Sequence, residues 1–194
     1  MTEDLTTYTE VNDPNSKLST TASRVTLSLM DQVDRTYLYK DFGSSYFNNI
    51  RLMFTGRVSS GTNNNGSCDI GFANAVGDVS GWSNYLSVEF LEGVVYLVGD
   101  TSEYYLISSD TTYYFTLERN AGSASLKIYS NSARTSLLDT LTCTCNTGEW
   151  RYFYPAASYY TNDAFDQFSG YFEDFDFLFS RSVGGQVRII GMAM

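Results

Sequence analysis

Residues 111–142 read TTYYFTLERNAGSASLKIYSNSARTSLLDTLT, and their alternation decides the fold class. Tyr113, Phe115 and Leu117 interleave with Tyr114, Thr116 and Glu118. A period of two sends the first three to one face of a sheet and the others to the opposite face. Ala124, Leu126 and Ile128 return to the buried face, while Ser125, Lys127 and Tyr129 point away. Between the two runs, Asn120-Ala121-Gly122-Ser123 supplies a turn. Gly122 tolerates positive φ there, and Asn120 can bond its own backbone. A second turn leads to a third strand, so the stretch predicts an antiparallel meander.

The same alternation and punctuation extend outward in both directions. Upstream, strands are predicted at 5–11, 18–21, 24–29, 36–42 and 46–59, with a turn set by Pro14. A further strand at 67–75 follows GTNNNG (61–66), a polar loop expected to be mobile. A glycine-rich loop at 76–84 carries Trp82 and precedes a hairpin of 85–90 and 94–98, then a short strand at 103–107. Downstream, 150–159 is aromatic on both faces, and Pro155, which cannot donate to a ladder, belongs at a sheet edge or a bulge. The last strong strand is 169–179. About a dozen short strands at roughly ten-residue spacing predict an all-β, two-sheet antiparallel jelly-roll sandwich. Residues 1–180 form the single sandwich domain, and 181–194 form a C-terminal tail.

Composition narrows the function. The chain has 194 residues, long enough to bury a core without metal or disulfide. Its formal net charge is −10, with scattered arginines, which argues against nucleic-acid and anionic-membrane partners. No run of about eighteen apolar residues exists to span a bilayer. The acidic start Met1-Thr2-Glu3-Asp4 lacks the basic and apolar regions of a signal peptide, so synthesis in a cytoplasm is expected. Cys68, Cys143 and Cys145 are odd in number and are expected as buried thiols. With no histidine in the chain, Ser-His-Asp and Cys-His chemistry is excluded.

Several pieces together resemble one family. They are Tyr39-Lys40-Asp41-Phe42-Gly43, the stretch 112–119, Lys127-Ile128-Tyr129-Ser130 leading to Leu137-Leu138-Asp139-Thr140-Leu141, Arg151-Tyr152-Phe153-Tyr154, and Ser169-Gly170-Tyr171 with its acidic strand. In this order they resemble concanavalin A-like, LamG-type lectin/glucanase sandwiches of the kind found in phage virion proteins. The resemblance implies a jelly roll whose curved sheet or loop rim binds ligand.

That family includes glycosidases, so the carboxylates matter. Asp174 and Asp176 share a strand face, but the next position on it is Leu178, and Glu173 points the other way. Residues two apart on a strand lie about 6.5–7 Å apart, wider than the about 5–5.5 Å of a retaining pair. No catalytic residue is assigned. Trp82, Asn84 and Tyr85 form one candidate glycan-binding set, with Trp82 alternatively folding back as a plug over one end of the sandwich. Tyr159, Tyr160, Asn162 and Asp163 form another. Asp163 and Asp166 are candidates for Ca²⁺, although no cofactor is required. Val187, Ile189 and Ile190, in an apolar segment after Gly184-Gly185, are the candidate partner contacts. They pair either with their own sheet or with another chain. The expectation is a non-enzymatic virion surface subunit, a capsid decoration or tail-associated protein. Its partners are other virion proteins or itself as a homo-oligomer, and a cell-surface glycan. A carbohydrate-binding module is the alternative, and a glycoside hydrolase comes third.

Overall fold

The computed structural model describes residues 2–44, 46–59, 66–159, 166–178, 182–183 and 186–187. Two seven-stranded antiparallel sheets pack face to face. The first contains β1 (Thr9–Val11), β4 (Tyr37–Asp41), β6 (Cys68–Ala73), β7 (Leu86–Leu91), β8 (Val94–Val98), β9 (Ser102–Leu106) and β13 (Tyr152–Ser158), in the order β1-β4-β13-β6-β7-β8-β9. The second contains β2 (Leu18–Thr20), β3 (Arg24–Asp31), β5 (Ile50–Val58), β10 (Tyr113–Asn120), β11 (Ser123–Tyr129), β12 (Leu137–Thr144) and β14 (Gln167–Phe177), in the order β12-β11-β10-β5-β14-β3-β2. The predicted meander is β10-β11-β12, paired in sequence from one edge of the second sheet.

Alternation places the core as the sequence implies. Tyr113, Phe115, Leu117, Leu126 and Ile128 are all buried between the sheets. Phenylalanines fill the centre: Phe54 stacks on Phe115 at 4.9 Å, and Phe90 meets Phe172 at 4.7 Å. The three cysteines are free and buried, and burial pushes the Cys143 thiol up to about 12. An arginine enters the interior. Arg119 is 2% exposed and stacks over Trp150 at 4.1 Å. Its guanidinium donates to the carbonyls of Asn146 and Gly148 at 2.6 Å each, and to that of Asn48. Two loops, the one before β5 and the one between β12 and β13, are thereby tied to β10.

Four local expectations are corrected. The first strand is only β1, because Asp4 caps a 3-10 turn over Leu5–Thr7, its Oδ1 accepting from the Thr6 N–H at 3.0 Å. Leu5 plugs the core instead of extending the ladder. The strand expected from residue 46 begins at Ile50, since Phe47 forms an isolated bridge with Trp150. In the β10–β11 turn, Asn120 pairs with Ser123, and positive φ falls on Ala121 (52°), not on Gly122. A two-residue hairpin loop needs it at the first central position. Finally, Asp174 sits at a bulge with φ 57°, where the register against β5 shifts between Glu173 and Asp176. The extra residue re-aims the strand. Phe175 turns into the core, and Glu173, opposite Thr55, comes to share the outward face with Asp176, opposite Met53.

Pro155 lies in a central strand and is accommodated by a bulge. The register of β13 shifts across it against β4 and against β6. In the tail, β16 (Gln186–Val187) pairs with β15 (Ser182–Val183), not with either sandwich sheet. Ile189 and Ile190 lie outside the described residues, as does 61–65 of the polar loop.

Candidate functional site

The outward face of the first sheet carries the chemistry. Cys68, Ile70 and Phe72 of β6 face the core, so Asp69, Gly71 and Ala73 face out. On β7, Leu86, Val88 and Phe90 face in, leaving Ser87 and Glu89 outward. The register places Ala157, Asp69, Glu89, Tyr96 and Tyr104 directly opposite one another, strand by strand, across β13, β6, β7, β8 and β9. From Asp69 to Tyr104 there are three strand spacings of about 4.8 Å, or about 14 Å. Tyr96 and Tyr104 have ring centroids 5.6 Å apart. Tyr104 is 60% exposed, and Leu106 beside it is 70% exposed. One row therefore joins a carboxylate pair at the centre of the sheet to a tyrosine rail at its edge, half-buried at Tyr96 and exposed at Tyr104.

The acidic end is enclosed. Asp69 is 2% exposed, and beyond the contact of the Ser87 hydroxyl with its carboxyl, neither its Oδ2 nor the Ser87 Oγ finds a well-aligned hydrogen-bond partner among the described residues. Burial, and then the Glu89 charge, raise the Asp69 carboxyl well above the ordinary range, with the neighbouring Ser87 hydroxyl acting the other way. Burial also raises Glu89, offset by a hydrogen bond from Ser67. Directly opposed side chains on an antiparallel pair have Cβ atoms about 4.5–5.5 Å apart, too close for both to ionise freely. Tyr85 is raised by burial, and then by the negative potential of Asp69, Glu89 and Tyr159.

Trp82 is 7% exposed and lies flat on the sheet. A Cβ on Gly71 would stand 2.6 Å from its ring, so only glycine lets the indole settle there. Its ring contacts Tyr154 at 4.6 Å and Tyr85 at 5.8 Å, and its Nε1 donates to the Gly77 carbonyl at 3.0 Å. Val79, Tyr37, Ala73, Tyr154 and Ala157 complete this outer cluster. The indole is a plug, as one sequence reading had it, but over the sheet's outer face, not over an end of the sandwich. Asn84 faces elsewhere: its carbonyl accepts from Trp150 Nε1, and its Oδ1 accepts from Asn146 at 3.2 Å. Tyr160, Asn162 and Asp163 lie outside the described residues. Tyr159 is described and exposed. Among the described residues no group of three or more metal-ligating side chains exists.

Sequence reasoning missed Asp69, Glu89, Tyr96 and Tyr104. Each alternates outward in its own strand, and that much was visible. Asp174 and Asp176, which drew attention instead, lie on the outward face of the second sheet beside Tyr114 and Arg134. There the Arg134 guanidinium already donates to the carbonyls of Phe115 and Phe54, at 3.3 and 3.2 Å.

No family model matches the chain, and no curated protein matches it in sequence. Solved structures do. The exoplasmic/lumenal domain of VIP36 in its Ca²⁺/Man3GlcNAc-bound form superposes with TM-score 0.57 at 9% identity, covering 88% of this chain and 85% of that one. The fold is that of the concanavalin A-like sandwiches. The catalytic domain of a GH131 β-glucanase from Podospora anserina gives TM-score 0.53 at 12% identity, covering 87% of this chain and 75% of its own. The CBM2 module of the evolved Dit of Lactobacillus casei BL23 phage J-1 gives 0.50 at 8% identity, covering 91% and 95%.

Proposed function

We propose that this concanavalin A-like chain is a non-enzymatic carbohydrate-binding module whose ligand lies across the outward face of the first sheet. The observation that carries the reading is the row Asp69–Glu89–Tyr96–Tyr104. Exposed tyrosine rings offer an apolar face with a polar tip, suited to a sugar ring that is apolar on its faces and hydroxylated at its rim. Carboxylates at the inner end accept hydrogen bonds. The VIP36 neighbour, whose structure holds Man3GlcNAc, supports a glycan as the ligand class. A glycan array on the purified chain is the test, repeated with Tyr104→Ala. A reproducible hit that Tyr104→Ala weakens by about tenfold, the factor of a 1.4 kcal/mol contact, supports the reading. A blank array, or a hit indifferent to Tyr104, refutes it.

The carboxylate pair carries a second reading, glycoside hydrolysis. Opposed residues on adjacent strands have Cβ atoms about 4.5–5.5 Å apart, which allows their carboxyls to reach the about 5–5.5 Å of a retaining pair. Reducing-end release from the array hit, lost in Glu89→Gln, would establish it. The setting we propose is a virion surface, as a capsid decoration or tail-associated subunit, which the likeness to the phage Dit module supports. Detection of the chain in purified particles by mass spectrometry is its test.

A further inference from the structure

We infer that the site is selective for glycans bearing a free amine, with the ammonium received between Asp69 and Glu89. The inference rests on the reading of this face as a glycan site and goes on to name the ligand class. A cluster of acids alone would say little, but this one is built around unmet needs. Asp69 Oδ2 and Ser87 Oγ, on adjacent strands of the same face, are both buried and, beyond their contact with each other, have no well-aligned partner among the described residues. A buried acceptor left without a donor is costly, and an ammonium brings three donors.

The charges around the pair leave that role to a ligand. From β6 comes Asp69, from β7 Glu89, and from β8 Tyr96. Tyr85 feels the negative potential of both acids and of Tyr159. Tyr37 and Tyr154 line the neighbouring cluster on β4 and β13. Among the described residues, the cations at the margin of this face are held by their own acids: Arg35 by Asp78 at 3.4 Å and Arg151 by Asp41 at 2.5 Å. Without a cation, burial and the mutual repulsion of the opposed Asp69 and Glu89 carboxyls favour a proton retained between them. A hydroxyl can bond to that protonated pair but gives no reason to release the proton. An ammonium takes the place of the retained proton between the two carboxylates, so binding leaves the net charge of the pair unchanged and releases one proton to solvent. An anionic sugar is repelled by the same pair. The Tyr96–Tyr104 rail then holds the adjoining sugar rings.

The test is calorimetric titration of the whole chain with glucosamine oligomers, their fully N-acetylated counterparts and a uronic-acid oligomer of equal length. Two buffers of different ionisation enthalpy read proton release. The expected result is that the free-amine oligomer binds at least about tenfold tighter than the acetylated one, with proton release. Glu89→Gln, close in shape and uncharged, should reduce that ratio to about threefold or less. Tyr104→Ala should weaken both oligomers by the same factor. Thermal unfolding confirms that each variant is folded, and Asp69→Asn serves if Glu89→Gln does not fold. Equal affinity for the acetylated and free-amine oligomers overturns the amine inference and leaves the glycan site standing. A preference that survives Glu89→Gln, or that vanishes in salt equally for both proteins, assigns it to the general charge of −10 and also overturns the inference. Failure of every oligomer, with a blank array, removes the glycan site itself.

Discussion

Removing the Trp82 indole is expected to destabilise the protein by about 3 kcal/mol. A tryptophan side chain buries about 200 Å², which at about 25 cal/mol per Å² is worth about 5 kcal/mol as an upper bound. Its Nε1 hydrogen bond to the Gly77 carbonyl adds about 1 kcal/mol. Against this, the loop carrying Val79 can settle toward Tyr154 and recover part of the loss, because the cluster lies on an outer face and not between the sheets. Core Trp→Ala changes cost about 3–5 kcal/mol, and a site free to collapse belongs at the lower end. Urea unfolding of Trp82→Ala, followed by far-ultraviolet circular dichroism and by the fluorescence of the remaining Trp150, measures the loss. With a slope of about 2 kcal/mol per molar, the midpoint should fall by about 1.5 M. A loss under about 1 kcal/mol accompanied by abolished glycan affinity would make the indole an exposed stacking platform and would refute the packing argument.

Two other outcomes follow from buried charge. Arg119→Leu strands the carbonyls of Asn48, Asn146 and Gly148, and should cost about 3 kcal/mol or more in the same urea assay. Asp69 and Glu89 are both raised in the folded protein, so above their ordinary unfolded values of about 3.9 and 4.3 the native state holds more protons than the unfolded one. Their contribution is therefore largest below about pH 4 and is lost as pH rises through the folded values. Asp69→Asn should be more stable than the parent protein at pH 8, with the difference shrinking toward pH 4. A difference that grew on acidification would contradict the assignment.

The sandwich was legible because the alternation of β10 and β11 needs no knowledge of distant partners. The bulge at Pro155 followed from its missing donor. The bulge at Asp174 carries no such mark, since positive φ at an aspartate is a tertiary outcome, and it changed which acids share a face. The site failed to appear for a related reason. Asp69 and Glu89 each read as outward residues, one in CDIGF and one in LSVEF, but the loop between their strands is long, and no local signal sets that register. Tyr96 and Tyr104 joined the row only once β8 and β9 were paired. Trp82 was conspicuous in sequence because it sits in a glycine-rich loop. What buries it is Gly71 on β6, whose missing side chain makes room for the ring.

Mapping the bound ligand tests the central claim most directly. The best array ligand would be titrated into ¹⁵N-labelled protein and the amide shifts assigned. The account predicts that the shifts concentrate on Asp69, Ser87, Glu89, Tyr96 and Tyr104. Shifts confined to Arg134, Asp174 and Asp176 on the opposite sheet, with that row silent, would contradict it.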